Sequence, residues 1–334
     1  MWKTFAFPLL ALLSATTSAY VNPIECTSGI CNNAHDPALI RRDDGTYFRF
    51  STGGSTAGAI PIFTAKAING PWSAAGTVLP SGSNINRYNG AKKFDLWAPD
   101  VSKVGDTYYL YYSMSQAFGV NNSTIGVATS KTLETGSWTD LGESGVSSTA
   151  GKSSYNAIDG NLVFDGTDYY LSFGSFWNDL YTVKMANPPK KVASGSTSKQ
   201  IAYVPTGSHS QEASYVYKYG SYYYLFFSVG QCCDYINNPA AKGAEYKIQA
   251  CRASSVTGPY TDKSGTSCTS GGGTTVLESH DWVYGPGGQG VYSDPSLGPV
   301  LYYHYVDTRI GYGDGQKKIG INKLTFSSGW PVVV

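Results

Sequence analysis

Charge is scarce in this sequence. Its 334 residues carry 24 Lys+Arg and 23 Asp+Glu, 14% of the chain, where an ordinary soluble protein has about 25%. So even a balance excludes the basic footprint of a nucleic-acid binder and any acidic tail. Long apolar runs are missing too, except at the N-terminus, where Lys3, the run from Phe5 to Leu13 and the small residues Thr17 and Ala19 have the form of a secretory signal peptide. That run falls short of the about 20 residues a bilayer span needs. Residues 1–19 are therefore expected to be removed, leaving residues 20–334 as a secreted, extracellular chain with no membrane partner. No Pro/Ser linker or shift in composition marks a second domain, and nothing indicates an oligomer, so a monomer is expected. What the chain has in quantity is 39 Gly and 27 Tyr. That composition favours many short strands joined by tight turns over a helical bundle.

Six cysteines (Cys26, Cys31, Cys232, Cys233, Cys251 and Cys268) suit a secreted protein with disulfides, and their number leaves 15 pairings open. A zinc site at Cys232 and Cys233 is the alternative, but adjacent thiols lack ligand spacing and no His lies near them in sequence. Asn121-Asn122-Ser123-Thr124 holds two overlapping glycosylation sequons, expected on a surface loop.

One unit recurs along the chain: a carboxylate, a short apolar strand, a Gly turn and an aromatic strand. It begins at Asp36, Asp100, Asp159 and Glu212, with aromatic strands starting at Tyr47, Tyr108, Tyr169 and Tyr223. A fifth copy, from Gly285 to Tyr305, has no carboxylate. The glycines suit hairpin turns, and the Tyr/Phe/Leu runs suit strands buried on both faces. Starts at 36, 100, 159 and 212 are 64, 59 and 53 residues apart, enough for a four-stranded antiparallel sheet each. Sheets of that kind bury both faces when arranged radially, so the expected fold is all-β, a five-bladed β-propeller in a single domain.

In a propeller the first strand of each blade lines the central channel. Read as equivalent repeat positions, Asp36, Asp100, Asp159 and Glu212 converge at one mouth, although any one alone would pass for a turn residue. Like charges so gathered push their pKa values apart, which serves acid/base chemistry or cation binding. Trp97, Phe118, Tyr155 and Trp177 lie beside the acids, and aromatic faces next to carboxylates suit a carbohydrate. Asn156 and Ser175 complete the candidate substrate contacts. A glycosidase needs one protonated and one ionised carboxyl group.

The segments Ala34-His35-Asp36-Pro37, Leu96-Trp97-Ala98-Pro99-Asp100, Ala157-Ile158-Asp159-Gly160 and Gln211-Glu212-Ala213-Ser214-Tyr215 resemble the signature segments of glycoside hydrolase family 43. Within it the chain looks most like the fungal endo-acting arabinanases. The resemblance spans about residues 30–330 and implies a five-bladed propeller of an inverting enzyme that cuts internal α-1,5-L-arabinofuranosidic links of arabinan in pectin. It makes Asp36 the general base, Glu212 the general acid, and Asp159 the group that raises the acid's pKa and orients it. Trp97 and Phe118 match sugar platforms, and Asp100 matches no catalytic role. His304 matches a histidine that holds a channel metal, usually calcium, through water; no cofactor is implied for the chemistry itself. Two departures stand out. Gly285-Pro286-Gly287-Gly288-Gln289-Gly290 lacks the His and Asn many members carry there, and Gly160 stands where others have Pro. Remaining alternatives are an exo-acting arabinofuranosidase or a xylosidase on the same fold, and a sugar-binding propeller without catalysis; the absence of a C-terminal sandwich speaks against the xylosidase.

Overall fold

The computed structural model describes residues 20–334 apart from 27, 54–58 and 89. The expected signal peptide, residues 1–19, lies outside the described residues. Twenty strands form five antiparallel sheets of four, each from strands consecutive in sequence. The first blade contains β1 (Ala38–Arg41), β2 (Tyr47–Phe50), β3 (Ala59–Ala65) and β4 (Ser73–Leu79). In the second are β5 (Leu96–Val104), β6 (Thr107–Ser115), β7 (Ser123–Ser130) and β8 (Thr139–Ser147). The third holds β9 (Asn161–Phe164), β10 (Tyr169–Phe173), β11 (Leu180–Lys184) and β12 (Lys199–Ala202). The fourth is β13 (Gln211–Tyr219), β14 (Tyr222–Val229), β15 (Lys247–Ala253) and β16 (Thr274–Leu277), and the fifth is β17 (Val283–Asp294), β18 (Gly298–Asp307), β19 (Lys318–Thr325) and β20 (Val332–Val333). Among the described residues no helix is long and apolar enough to cross a membrane.

The first strands β1, β5, β9, β13 and β17 contact one another in cyclic order, which closes the ring of a five-bladed propeller. Apolar clusters fill the five wedges between neighbouring blades. The tyrosines of the second strands are their main material: Tyr108, Tyr111, Tyr112, Tyr224 and Tyr303 are all buried. Each fully buried large side chain contributes about 1.5–3 kcal/mol, so the aromatic runs hold blade to blade. The hairpins between first and second strands carry Gly45, Gly105, Gly166, Gly220 and Gly298, all at positive φ as expected.

Among the described residues no strand is exchanged at the seam between the fifth and first blades. The N-terminal segment closes it instead: the Ile24 N–H donates to Ile321 O at 2.8 Å, and Asn322 Nδ2 donates to Val21 O at 3.0 Å. Arg49, buried on β2, holds the same segment by donating to Ile30 O at 3.0 Å, its guanidinium 4.2 Å above the Phe63 ring. The cysteines pair as Cys26–Cys31, Cys232–Cys233 and Cys251–Cys268. Of the two sequon asparagines, Asn121 is buried and donates to Ser153 O at 3.0 Å, so only Asn122 meets the expectation of an accessible position.

The repeat register differs from the expected one. One residue per blade adopts left-handed backbone where the chain enters the first strand: Asp36 (φ 45°), Ala98 (42°), Asp159 (59°), Ala213 (54°) and Gly288 (56°). These are the equivalent positions. Asp36 and Asp159 share one of them, but Glu212 lies one residue earlier and Asp100 two residues later. In the second, fourth and fifth blades the strand pairing skips at this point, a bulge that turns the entering residues toward the mouth.

Candidate active site

The register explains how the side chains are held. Each left-handed residue has a backbone N–H that the sheet ladder does not use, and in four blades a side chain on or just past the second strand of the preceding blade accepts it. Thr52 Oγ1 accepts from Ala98, Ser113 Oγ from Asp159, Ser228 Oγ from Gly288, and His304 Nδ1 from Asp36, at 2.9–3.0 Å. The corresponding third-blade residue is Gly174, which has no acceptor, and there Asp159 Oδ2 takes the Ala213 N–H at 2.9 Å. The position two residues further on also bridges blades: Asp100 Oδ2 accepts from the Leu162 N–H at 3.1 Å and Asn161 Oδ1 from the Val216 N–H at 2.8 Å. Asp100 is thus a buried interblade tie, with burial lifting its carboxyl to about 6. It faces a cavity of about 40 Å³ beneath the mouth.

At the mouth Asp36, Asp159 and Glu212 form the floor of a cleft of about 1230 Å³. Asp36 Oδ2 accepts from Thr52 Oγ1 at 2.9 Å and lies 3.0 Å from His35 Nδ1, while Oδ1 lies 3.4 Å from His304 Nδ1. Burial opposes the charge on Asp36, but His35 beside Oδ2 holds the carboxyl well below the usual carboxylate range. Glu212 accepts from Ser175 Oγ at 2.7 Å and from the Tyr246 hydroxyl at 2.8 Å. Burial, which outweighs these two bonds, and the Asp36 charge raise it. Asp159 is raised further, by burial first, then by Glu212 and Asp36. The Glu212–Asp159 pair therefore retains a proton beside an ionised Asp36.

Trp97, Phe118, Asn156, Ser175 and Trp177 line the cleft. Trp97 donates its indole N–H to Asp95 Oδ1 at 2.7 Å, and Phe118 stands 79% exposed at the rim. Asn156 is buried with its carbonyl oxygen unpartnered, an acceptor ready for a hydroxyl. Ser175 lines the cleft with its hydroxyl committed to Glu212. Tyr155 does not line the cleft; it packs on Phe173 and Tyr181, each at 5.0 Å, because its segment turns into the wedge between the second and third blades. Three functional residues escaped the sequence reading: His35, Thr52 and Tyr246. His35 stands within a quoted signature segment, whereas Tyr246 lies in a loop with no repeat signal.

His304 is fully buried, sandwiched between the rings of His35 (4.6 Å) and Tyr246 (5.8 Å), and its pKa is lowered to about 3 by burial, Lys317 and His35. Neutral, with Nδ1 accepting the Asp36 N–H, it carries its proton on Nε2, which has no partner. A protonated nitrogen cannot enter the inner shell of a calcium ion, so His304 fits such an ion only through water. His35, Cys233 and Asp314 also cluster, but the Cys233 sulfur is spent in a disulfide and gives no thiolate.

A family model described as glycosyl hydrolases family 43 matches residues 26–331. The arabinan endo-1,5-alpha-L-arabinosidase A of Aspergillus aculeatus is 58% identical over 323 residues, 96% of this chain and 97% of that relative. A solved endo-arabinanase of the same family from Bacillus licheniformis is 34% identical with a TM-score of 0.80, covering 92% of this chain and 99% of its own. An exo-1,5-alpha-L-arabinanase from a bovine ruminal metagenomic library has the same TM-score of 0.80 at 30% identity, with the same coverage of 92% and 99%. The fold is thus common to enzymes named for internal and for terminal cleavage.

Proposed function

The chain is a glycoside hydrolase belonging to family 43, and we propose that it is a secreted enzyme that cleaves internal α-1,5-L-arabinofuranosidic links of the arabinan in pectin with inversion. The observation that carries the proposal is the opposite setting of two carboxyl groups on one cleft floor. Asp36, held ionised by His35, is the general base: it takes a proton from water as that water attacks the anomeric carbon. Glu212, which shares the proton retained by its pair with Asp159, is the general acid that gives a proton to the departing arabinosyl oxygen. Asp159 keeps that proton in place through repulsion, since ionising both members of the pair would bury two charges together. Thr52 and His35 fix the base; Tyr246, itself kept protonated by burial and the neighbouring acids, and Ser175 fix the acid.

Trp97, Phe118 and Trp177, all lining the cleft, offer apolar faces for furanose rings, and the Asn156 oxygen accepts from a hydroxyl. A hydrated calcium ion beside His304 would supply charge and rigidity to the channel and no atom to the reaction. The A. aculeatus relative supports internal cleavage; the ruminal exo-arabinanase of equal structural likeness makes terminal cleavage the second reading. Product analysis of linear arabinan separates them. Early digests should contain a ladder of oligomers, and arabinose alone from the first minutes would overturn the endo assignment. Proton NMR of the same digest should show the β-anomer at new reducing ends before mutarotation, and an initial α-anomer would overturn inversion.

A further inference from the structure

A disulfide between residues adjacent in sequence closes almost no chain, so the loop-closure entropy that lets disulfides stabilise folds is absent at Cys232–Cys233. Cys251–Cys268, 17 residues apart, has that role available. What the adjacent bond does is lock two residues of backbone into one small ring. That ring stands in the wall of the cleft. Cys233 Sγ lies 3.6 Å from Nε2 of His35, whose Nδ1 is 3.0 Å from Asp36 Oδ2. One face of the His35 ring rests on His304. The imidazole is therefore confined on its face by a ring and at its far edge by a sulfur.

The disulfide segment is itself anchored by a buried cation. Lys317, fully buried, donates to Cys232 O at 2.7 Å and pairs with Asp314 Oδ1 at 3.0 Å, while Asp314 Oδ2 accepts the Asp234 N–H at 3.2 Å. Gln231 Nε2 donates to Cys233 O at 3.0 Å. So much anchoring on a bond with no part in global stability points to local placement.

We propose that the Cys232–Cys233 disulfide is a positioning element of the reaction: Cys233 fixes the ring of His35, and His35 aims the Asp36 carboxylate at the attacking water. The inference rests on Asp36 being the general base. Both cysteines act through His35 and are positioning residues. Reacting groups misplaced by about 1 Å lose up to about 10²-fold in rate.

The test compares full-length chains on linear arabinan. The double substitution Cys232→Ala with Cys233→Ala should lower kcat about 10- to 100-fold and leave KM within about twofold. Its Tm should stay within about 3 °C of the parent, because no closed loop is lost. His35→Gln should show a similar kcat loss, and adding the alanine pair to His35→Gln should cost less than about twofold more, as expected of groups acting in series. Unchanged kcat in the alanine pair overturns the proposal, as do losses that multiply in the triple variant. A rise in KM alone also overturns it and assigns the sulfurs to sugar binding. If the alanine pair does not fold, the serine pair, closer in size and polarity, takes its place with the same expected outcomes. Full activity in Asp36→Asn would instead sink the base assignment on which the inference stands.

Discussion

The two sides of the cleft floor differ in what surrounds a carboxyl group. On the first-blade side, Asp36 is ringed by nitrogen: His35 Nδ1, His304 Nδ1, and buried Lys317 behind them. Across the floor, Glu212 and Asp159 meet the hydroxyls of Ser175 and Tyr246, one backbone N–H, and each other. All three are half-buried at one mouth, so burial does not separate them. Partners do: imidazole beside a carboxylate offsets its desolvation, whereas hydroxyl groups leave the desolvation largely unopposed. His35 supplies most of this difference, and the second strand of the fifth blade packs a ring against it. Where the other blades offer Thr52, Ser113 or Ser228 to a left-handed N–H, the fifth offers His304. One substitution within a repeated hydrogen bond thus places a ring beside the base.

If the two sides have opposite tasks, removing either acid should disable the enzyme in different ways. Asp36→Asn should lower kcat by about 10²–10⁴-fold on every substrate, since water then lacks its base. Glu212→Gln should cost a similar about 10²–10⁴-fold on arabinan. On an arabinooligosaccharide carrying a nitrophenyl leaving group its loss should shrink below about tenfold, because a nitrophenolate departs without a proton. Initial rates on both substrates check this, and equal losses for the two variants on the nitrophenyl substrate would break the comparison.

The same contrast sets the pH profile. Asp36 must be ionised, so activity falls as pH drops through its lowered pKa. The Glu212–Asp159 pair must hold its proton, so activity falls as pH rises through the raised value. The bell in kcat/KM should therefore be broad, its acid limb below the usual carboxylate range and its basic limb above it. Asp159→Asn removes the repulsion that keeps the pair protonated. It should move the basic limb to lower pH and leave the acid limb in place, with a kcat loss of about tenfold at the optimum, below the about 10²-fold of a group that itself transfers the proton. A shift of the acid limb alone would show that Asp159 serves the base side instead.

Much of this was legible in the sequence and some was not. Alternation, hairpin glycines and second-strand tyrosines carry the five blades because each reports local packing. The equivalence of Asp36, Asp100, Asp159 and Glu212 misled, because at the bulges of the second and fourth blades Asp100 lies two places after the left-handed residue and Glu212 one place before it. A trace of it is visible: the intervals from acid to aromatic strand are 11, 8, 10 and 11, whereas Ala98 to Tyr108, Asp159 to Tyr169 and Ala213 to Tyr223 are each 10. The contacts of Tyr246 with Glu212 and of Cys233 with His35 join residues 34 and 198 apart with no repeat relation. No local pattern encodes such a pair; the ring closure creates it.

The mildest change is the sharpest test of why Ser175 is there. Read from sequence, Ser175 is a sugar contact, and its loss would raise KM with both pH limbs unmoved. In the structure its hydroxyl donates to Glu212 Oε2 at 2.7 Å, a bond that favours the ionised acid and partly offsets its burial. Ser175→Ala should therefore raise the pKa of Glu212 and move the basic limb to higher pH. The carboxyl also loses one of the two hydroxyls that orient it, so kcat should fall about fivefold, in line with about 1 kcal/mol for one hydrogen bond. A full pH profile of kcat/KM for this variant beside Asp159→Asn should show the two basic limbs displaced in opposite directions, because one substitution removes support for the charged acid and the other removes opposition to it.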